Sequence, residues 1–308
     1  MRKVLLAIVA LVPALVVVAS ATGGSTAAPT TATTIPGCAK GSLNLIADNT
    51  LTVGTDNPAF PPWFGGAEKS PWKFSDPRSG KGYESAFAYA VAKQLGFTRD
   101  QVKWVYVPFL KAIAPGRKSF DFDVNQISYS PARAKAATFS NSYYDVRQSV
   151  VVRKGTPIAN VRSMAGLKKY KLGAQIGTTS YTYIQKYIQP NQKPSAFPQN
   201  IGAITALKNG QIDGLVVDLP TAFIVTAVQV PNSKVLGQLP RVPGGEHFGA
   251  LFQKGNSLVG CVNKAIARLK ANGTLKTLER IWLRKATGAP KPSSAITRIV
   301  GTPRKKSA

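Results

Sequence analysis

Between residues 51 and 283, short β-prone runs alternate with segments whose apolar positions recur at helical spacing. Leu51-Thr-Val-Gly-Thr55 reads as a strand and feeds Asp56-Asn-Pro-Ala-Phe-Pro-Pro-Trp-Phe64, which cannot continue it because proline lacks a ladder donor. Residues 65–81, rich in Gly, Pro, Ser and Lys, read as loop. In 84–95, Phe87, Val91 and Leu95 fall at i, i+4 and i+8, and Gly96 supplies the glycine that ends a helix. A strand at 102–107, a short helix at 109–114 before Pro115-Gly116 and a strand at 122–127 follow. The rhythm restarts with a strand at 148–152, a helix at 163–167, a strand at 171–176 and the turn Gly177-Thr-Thr179. Helices at 180–188 and 201–209, a strand at 214–217 and a helix at 220–228 complete this second round. A β-like stretch at 248–252 and helices at 257–271 and 274–282, separated by Gly273, close the pattern. Such alternation predicts an α/β protein of two similar modules with largely parallel sheets.

The two ends read differently. Met1-Arg2-Lys3, an apolar run over 4–18 and Ala19-Ser20-Ala21 have the charged, apolar and small-residue parts of a secretory signal peptide at 1–21. The apolar run is shorter than the roughly 20 residues of a membrane span, and no cysteine follows it at the distance a lipid anchor needs. Residues 22–47 open with a Thr/Ala/Gly/Pro stretch and read as a flexible linker; 286–308 reads as a basic, disordered tail. Export permits a disulfide, and with two cysteines the intramolecular pairing available is Cys38 to Cys261, two buried thiols being the alternative.

Composition narrows the chemistry. At 44% hydrophobic and 17% charged residues, the chain can build a sizeable core, which excludes disorder for most of it. One histidine, His247, and two cysteines cannot furnish an ordinary zinc set and leave little room for Ser-His-Asp catalysis. Lys+Arg 40 against Asp+Glu 13 gives +27, which would suit a polyanion partner if it were clustered. Nine of these charges lie at the two ends and the rest are dispersed, without a nucleic-acid motif.

Three places carry candidate binding chemistry. Asp123-Val-Asn-Gln-Ile-Ser-Tyr-Ser-Pro-Ala-Arg133 sets polar groups after a strand, and the planar fork of Arg133 suits a carboxylate. The Thr178-Thr179 turn enters a helix, where backbone N–H groups and hydroxyls attract an anion. Asp218 ends the run Leu215-Val-Val217 and suits an ammonium. Read singly, each has a plainer role: a solvated surface arginine, an N-cap, and a cap for the helix near Pro220.

Taken together, the segments resemble the amino-acid-binding branch of the bacterial extracellular solute-binding proteins, receptors of ABC importers with the type II periplasmic-binding fold. The resemblance spans about 51–283 and rests on Val53-Gly-Thr-Asp56, Gly82-Tyr-Glu-Ser-Ala-Phe-Ala88, Ile127-Ser-Tyr-Ser-Pro-Ala-Arg133 and Phe139-Ser-Asn-Ser-Tyr-Tyr144. Gly173-Ala-Gln-Ile-Gly-Thr-Thr179, Gly210-Gln-Ile-Asp-Gly-Leu-Val-Val-Asp218 and Leu269-Lys-Ala-Asn-Gly-Thr-Leu275 carry the second half. It implies two α/β lobes joined by a two-segment hinge: 48–150 begins lobe 1, 151–244 forms lobe 2, and 245–285 returns to lobe 1 with the C-terminal helices. Crossings are expected near 151–154 and 245–250, with closure on the ligand as a hinge motion.

The resemblance also implies roles. Arg133 holds the α-carboxylate of a small, polar amino acid, helped by Ser128, Thr178 and Thr179, while Asp218 accepts its ammonium. Phe60, Trp63 and Phe109 form aromatic walls, and Asp56, Asn125 and Gln126 face the variable part of the ligand. Departures from the family pattern leave alternatives open: Asp56 as an Asx-turn residue, the two amides as space-fillers, and either Phe60 or Trp63 as the ring over the ligand. The expected partners are an ABC permease and ATPase; the chain acts as an exported monomer without cofactor, metal, nucleic acid or catalysis. The rivals are a cyclohexadienyl-dehydratase-like enzyme on the same fold, using Glu84, Asp56 or His247 as acid or base, and an exported polyanion binder.

Overall fold

The computed structural model describes residues 35–285 and 298–301; the expected signal peptide, the first part of the linker and most of the basic tail lie outside them. β1 (Leu51–Thr55), buried at all five positions, leads through the proline loop into α1 (Tyr83–Gln94). There follow β2 (Val102–Tyr106), α2 (Phe109–Ile113), β3 (Phe122–Asp123), α3 (Pro131–Ala136), β4 (Ala137–Phe139) and β5 (Tyr144–Asp145). The chain then crosses into β6 (Gln148–Arg153), α4 (Met164–Leu167), β7 (Leu172–Gln175), α5 (Thr179–Tyr183) and β8 (Ser195–Phe197). α6 (Asn200–Lys208), β9 (Gly214–Asp218), α7 (Leu219–Ile224) and β10 (Ser233–Gln238) complete that half. It returns through β11 (His247–Phe248) and β12 (Leu251–Gln253) to α8 (Leu258–Ala271) and α9 (Thr274–Leu278). α5, α7 and α9 each run on into a wider π-helical turn, so three expected helices consist of two pieces each.

The strands form two five-stranded sheets, ordered β2-β1-β3-β12-β4 and β10-β6-β9-β7-β8, and a small β11-β5 pair. In the first sheet β1 is parallel to both β2 and β3; in the second, β7 is parallel to both β8 and β9. The crossovers therefore leave β1 and β7 in opposite directions, and a crevice opens at the carboxyl end of each. The proline loop starting at Asp56 and the Gly177-Thr-Thr179 turn occupy those two ends. Each sheet has its own core, Leu51, Phe87, Phe122 and Phe252 among the first and Leu172, Ile184 and Val216 among the second.

Several expected boundaries move. The crossing expected at 151–154 lies inside β6, where Val150, Val151 and Val152 are wholly buried between β9 and β10. Their continuous apolar run belongs to a central strand, so the chain crosses at Val146-Arg147 and the lobe boundary shifts from 150 with it. The return crossing covers 239–246 and overlaps the expected 245–250 only at its end. The two crossings run side by side, with Val146 N–H to Glu246 O at 3.0 Å and Leu239 N–H to Gln148 O at 2.9 Å. The strand expected at 122–127 stops at Asp123; Gln126, at φ 48°, has a left-handed backbone that a ladder does not accommodate.

The linker and tail also change character. Ile35 and Cys38 are buried in the first core, and Cys38 is bonded to Cys261 on α8 with 5.6 Å between Cα atoms, so from residue 35 the chain is packed rather than flexible. Burying Ile35 alone contributes about 1.5–3 kcal/mol. Within the tail, Ile299 is buried against the second core. Its N–H bonds Gln238 O at 2.9 Å, while Val300 N–H bonds Arg162 O and Val300 O accepts from Met164 N–H, both at 2.9 Å. This short segment borrows the open edge of β10.

The disulfide closes a loop spanning 223 residues, for which chain entropy sets a scale of about 5 kcal/mol. Reduction, or a Cys38→Ser/Cys261→Ser variant, is expected to lower Tm by about 10 °C in a calorimetric scan. An unchanged Tm would show that the bridge carries no stability.

Candidate functional site

Arg133 reaches the crevice because Ser130 caps α3, accepting from Arg133 N–H at 3.2 Å, with Pro131 at the first helical position. Its guanidinium donates to Ser128 O at 2.6 Å and, across the cleft, to Gly177 O at 2.8 Å, and lies 5.5 Å from the Phe109 ring centre. Burial pulls its pKa down to about 10, against the pull of Glu246 and Asp218, so it stays charged at neutral pH. Gly177 permits the crossing: its φ is +77°, and a Cβ there would come within 2.5 Å of Leu110 Cδ2. Thr178 caps α5 through Tyr181 N–H at 3.1 Å, and Thr179 Oγ1 lies 3.2 Å from Ser128 Oγ.

Asp218, at the end of β9, accepts one hydrogen bond, from Gln148 Nε2 at 3.1 Å. Burial raises its pKa well above the usual carboxylate range; neighbouring Glu246 adds to the rise and Gln148 opposes it. Gln148 also donates to Glu246 at 3.1 Å and accepts from Ser180 Oγ at 2.7 Å. On the facing wall, burial likewise raises the pKa of Asp56, opposed by the Asn57 and Phe109 backbone N–H groups. The Asn57 N–H bond, at 2.8 Å, gives Asp56 a loop-holding role as well.

One cavity is lined by ten of the eleven expected ligand-binding residues. Arg133, Thr178, Thr179 and Asp218 meet Asp56, Phe60, Trp63, Phe109, Asn125 and Gln126 there, so both Phe60 and Trp63 lie at its wall. Phe60 stacks on Phe74 at 5.1 Å, and Trp63 Nε1 donates to Thr221 Oγ1 at 3.0 Å, joining the two lobes. The eleventh, Ser128, turns its hydroxyl to Glu246 at 2.7 Å and contributes its carbonyl to Arg133 instead.

Beneath this wall, Gln126 holds a left-handed backbone that costs a non-glycine residue about 1–2 kcal/mol. Fully buried Glu84 offsets it by accepting from Gln126 N–H at 2.7 Å and from the Gln126 side-chain amide, with Tyr143 O–H as a third donor at 2.5 Å. Asp123, one strand away, is buried with neither carboxylate oxygen hydrogen-bonded, and burial, with Glu84 and Asp56 nearby, raises its pKa well above the usual range.

Sequence reasoning missed Gln148, Glu246, Ser180 and Thr221, together with Gln175, Gln199 and Asn200 in the cavity wall. Ser180 directly follows an expected contact and Glu246 lies in an expected crossing, so proximity was a signal for both. Gln148 is reached only once β6 is known to belong to the second sheet, facing Asp218 in register.

The model of the bacterial extracellular solute-binding proteins, family 3, matches residues 51–285. Among curated relatives, the ABC transporter arginine-binding protein 1 of Escherichia coli strain K12 is 28% identical over 210 residues, 65% of this chain and 81% of its own. An ancestral arginine-binding protein bound to arginine superposes with a TM-score of 0.63 at 29% identity, covering 76% of this chain and 98% of its own. The ancestral amino acid-binding protein AncCDT-1, a precursor of cyclohexadienyl dehydratase, gives a TM-score of 0.61 at 26% identity, with coverages of 77% and 96%.

The electrostatics have a measurable consequence. A carboxyl whose pKa is raised by folding contributes stability below its unfolded pKa and loses it as pH rises through the folded value, so Asp218 contributes less to the ligand-free fold at neutral pH than at acid pH. Asp218→Asn keeps an oxygen for Gln148 and drops the charge. Its ligand-free Tm is expected to exceed that of the unmodified protein at pH 7–8 and to converge with it toward pH 4; a lower Tm at pH 7–8 would contradict the assignment.

Proposed function

The chain belongs to the bacterial extracellular solute-binding proteins, family 3, and on that premise we propose that it is the exported receptor of an ABC importer, holding a free α-amino acid with a cationic side chain between its lobes. The observation that carries this reading is the charge count of the cavity: one guanidinium, Arg133, faces two carboxylates, Asp218 and Asp56. An amino acid is a zwitterion, and each of its charges must meet an opposite one when water leaves the cleft. Arg133 takes the carboxylate, with the hydroxyls of Thr178 and Thr179 beside it, and Asp218 takes the ammonium. That pairing uses the backbone charges common to every amino acid and leaves Asp56, which a neutral side chain would strand and a guanidinium or ammonium would match.

The aromatic walls suit the same ligand, since Phe60 and Trp63 can pack its aliphatic stem and attract its charge. Arginine recognition by relatives in sequence and structure supports this choice. The ligand fits the closed arrangement better than the open one and shifts the hinge toward closure, and the closed monomer presents it to a permease and its ATPase. The carboxylates are assigned to ligand charges, so no catalytic step is assigned to the chain.

A thermal-shift screen of the exported chain against the twenty amino acids, polyamines, prephenate-like acids and anionic polymers tests the reading, because a ligand of the native state raises Tm. Arginine or lysine is expected to give the largest rise. Arg133→Ala and Asp218→Ala are each expected to weaken binding by about 2–5 kcal/mol, roughly 30-fold or more, while Asp56→Asn shifts preference toward a neutral amide such as glutamine. A rise with prephenate-like acids or polymers alone would replace this function with one of its rivals.

A further inference from the structure

Glu84 is in the first turn of α1, fully buried, and is not among the residues lining the cavity. Both its oxygens are committed to Gln126: one accepts the backbone N–H at 2.7 Å, the other the side-chain amide. The Tyr143 hydroxyl donates to the first oxygen at 2.5 Å. The titratable groups facing it are Tyr83 on its own helix, Asp123 on β3, Tyr143 before β5 and, across the cleft, Asp218; Asp123 in turn faces Asp56 and Lys118. Three donors converging on one carboxylate suit its ionised form. A protonated carboxyl is a weaker acceptor and carries a hydrogen on one of those oxygens, which weakens its hold on the Gln126 amide and backbone.

We propose that Glu84 is a positioning residue for side-chain recognition: ionised, it clamps Gln126 into the cavity wall, and protonated, it releases it, so that ligand affinity follows its ionisation. This rests on the amino-acid reading of the cleft. Burial pushes the Glu84 pKa up to about 7 against the three donors, which brings both forms into the range an exported protein meets. The left-handed backbone of Gln126 gives the clamp its leverage, because without Glu84 that conformation loses the bonds that offset its strain.

The test uses the exported chain with L-arginine as probe, measured by calorimetric titration from pH 6 to pH 8. Affinity is expected to rise about tenfold over that range, the change a single group with a midpoint near 7 produces. In Glu84→Gln the step disappears and affinity at pH 8 falls, whereas steps due to Asp56 or Asp218 would survive that substitution. In a Gln126→Ala background, Glu84→Gln is expected to change affinity less than twofold, because both act through one contact. Tyr143→Phe removes a donor to the ionised form and should move the step to higher pH, which keeps the test open if Glu84→Gln folds poorly. In the ligand-free protein, the Gln126 amide resonance is expected to titrate with a midpoint near 7, and not in Glu84→Gln. A step that persists in Glu84→Gln, losses that simply add, or a Gln126 amide that does not titrate would each overturn the proposal. Failure of arginine to bind at all counts instead against the amino-acid reading, and the ligand-free titration still decides whether Glu84 controls Gln126.

Discussion

A half-buried guanidinium that belongs to one lobe and bonds to the other is the constraint around which the cleft is organised. Arg133 must stay charged to be useful, and away from water it does so only if its N–H groups find acceptors. Ser128 O supplies one from its own lobe and Gly177 O one from the facing lobe. The second acceptor sits in the turn after β7, which passes close to Leu110 of α2 with a left-handed backbone at 177 that favours glycine. The sheet topology brings this about: two switch points, at β1 and β7, face each other, and the strand ends that deliver Asp56 and the Thr178-Thr179 turn are the ones the crossovers leave open.

The same cleft works against the stability of the fold that builds it. Asp56, Asp218, Asp123 and Glu84 are all held where burial disfavours their charge, and the Asp123 carboxylate lacks any hydrogen-bond partner. In the proposed reading, a cationic ligand would relieve part of this by meeting two of the carboxylates, and affinity would draw in part on strain in the unliganded state. What offsets that strain lies away from the cleft: apolar cores on both faces of each sheet, a disulfide anchoring the start of the packed chain to α8, and a tail segment that covers the edge of β10.

Periodicity made the repeating units legible. The apolar spacing of α1 and α8, the glycine stops at 96 and 273, and the buried runs of β1 and β9 all appear in the structure near their expected limits. The short elements were not legible: β4, β5 and β11 have two or three residues each and exist because neighbouring strands supply their partners. The hinge was misplaced because a central strand and a linker strand look alike as valine runs; only pairing with β9 and β10 separates them. The cavity residues at strand ends were readable, since charge and hydroxyl types stood out against apolar runs. Gln148 was not, because its importance lies in contacts made across more than thirty residues of sequence.

The placement of these groups also suits a scaffold whose ligand preference can change. In the proposed reading, the fixed part of the ligand is assigned to Arg133 on a capped helix, Asp218 at a strand end and Thr178 at a helix start, positions held by regular backbone. The variable part is assigned to Asp56 and Phe60 in the proline loop and to Asn125 and Gln126 in the irregular stretch after β3, all of which line the cavity. Loop positions can change residue without disturbing a ladder or a cap, so specificity can move while the charge clamp stays in place. Such freedom has a cost: a loop side chain is less precisely held than one on a strand. Gln126 escapes it because Glu84, anchored in the first turn of α1, grips its backbone and its amide together. A residue of the cavity wall is thereby tied to one of the most regular elements of the fold, which gives that irregular stretch its rigidity.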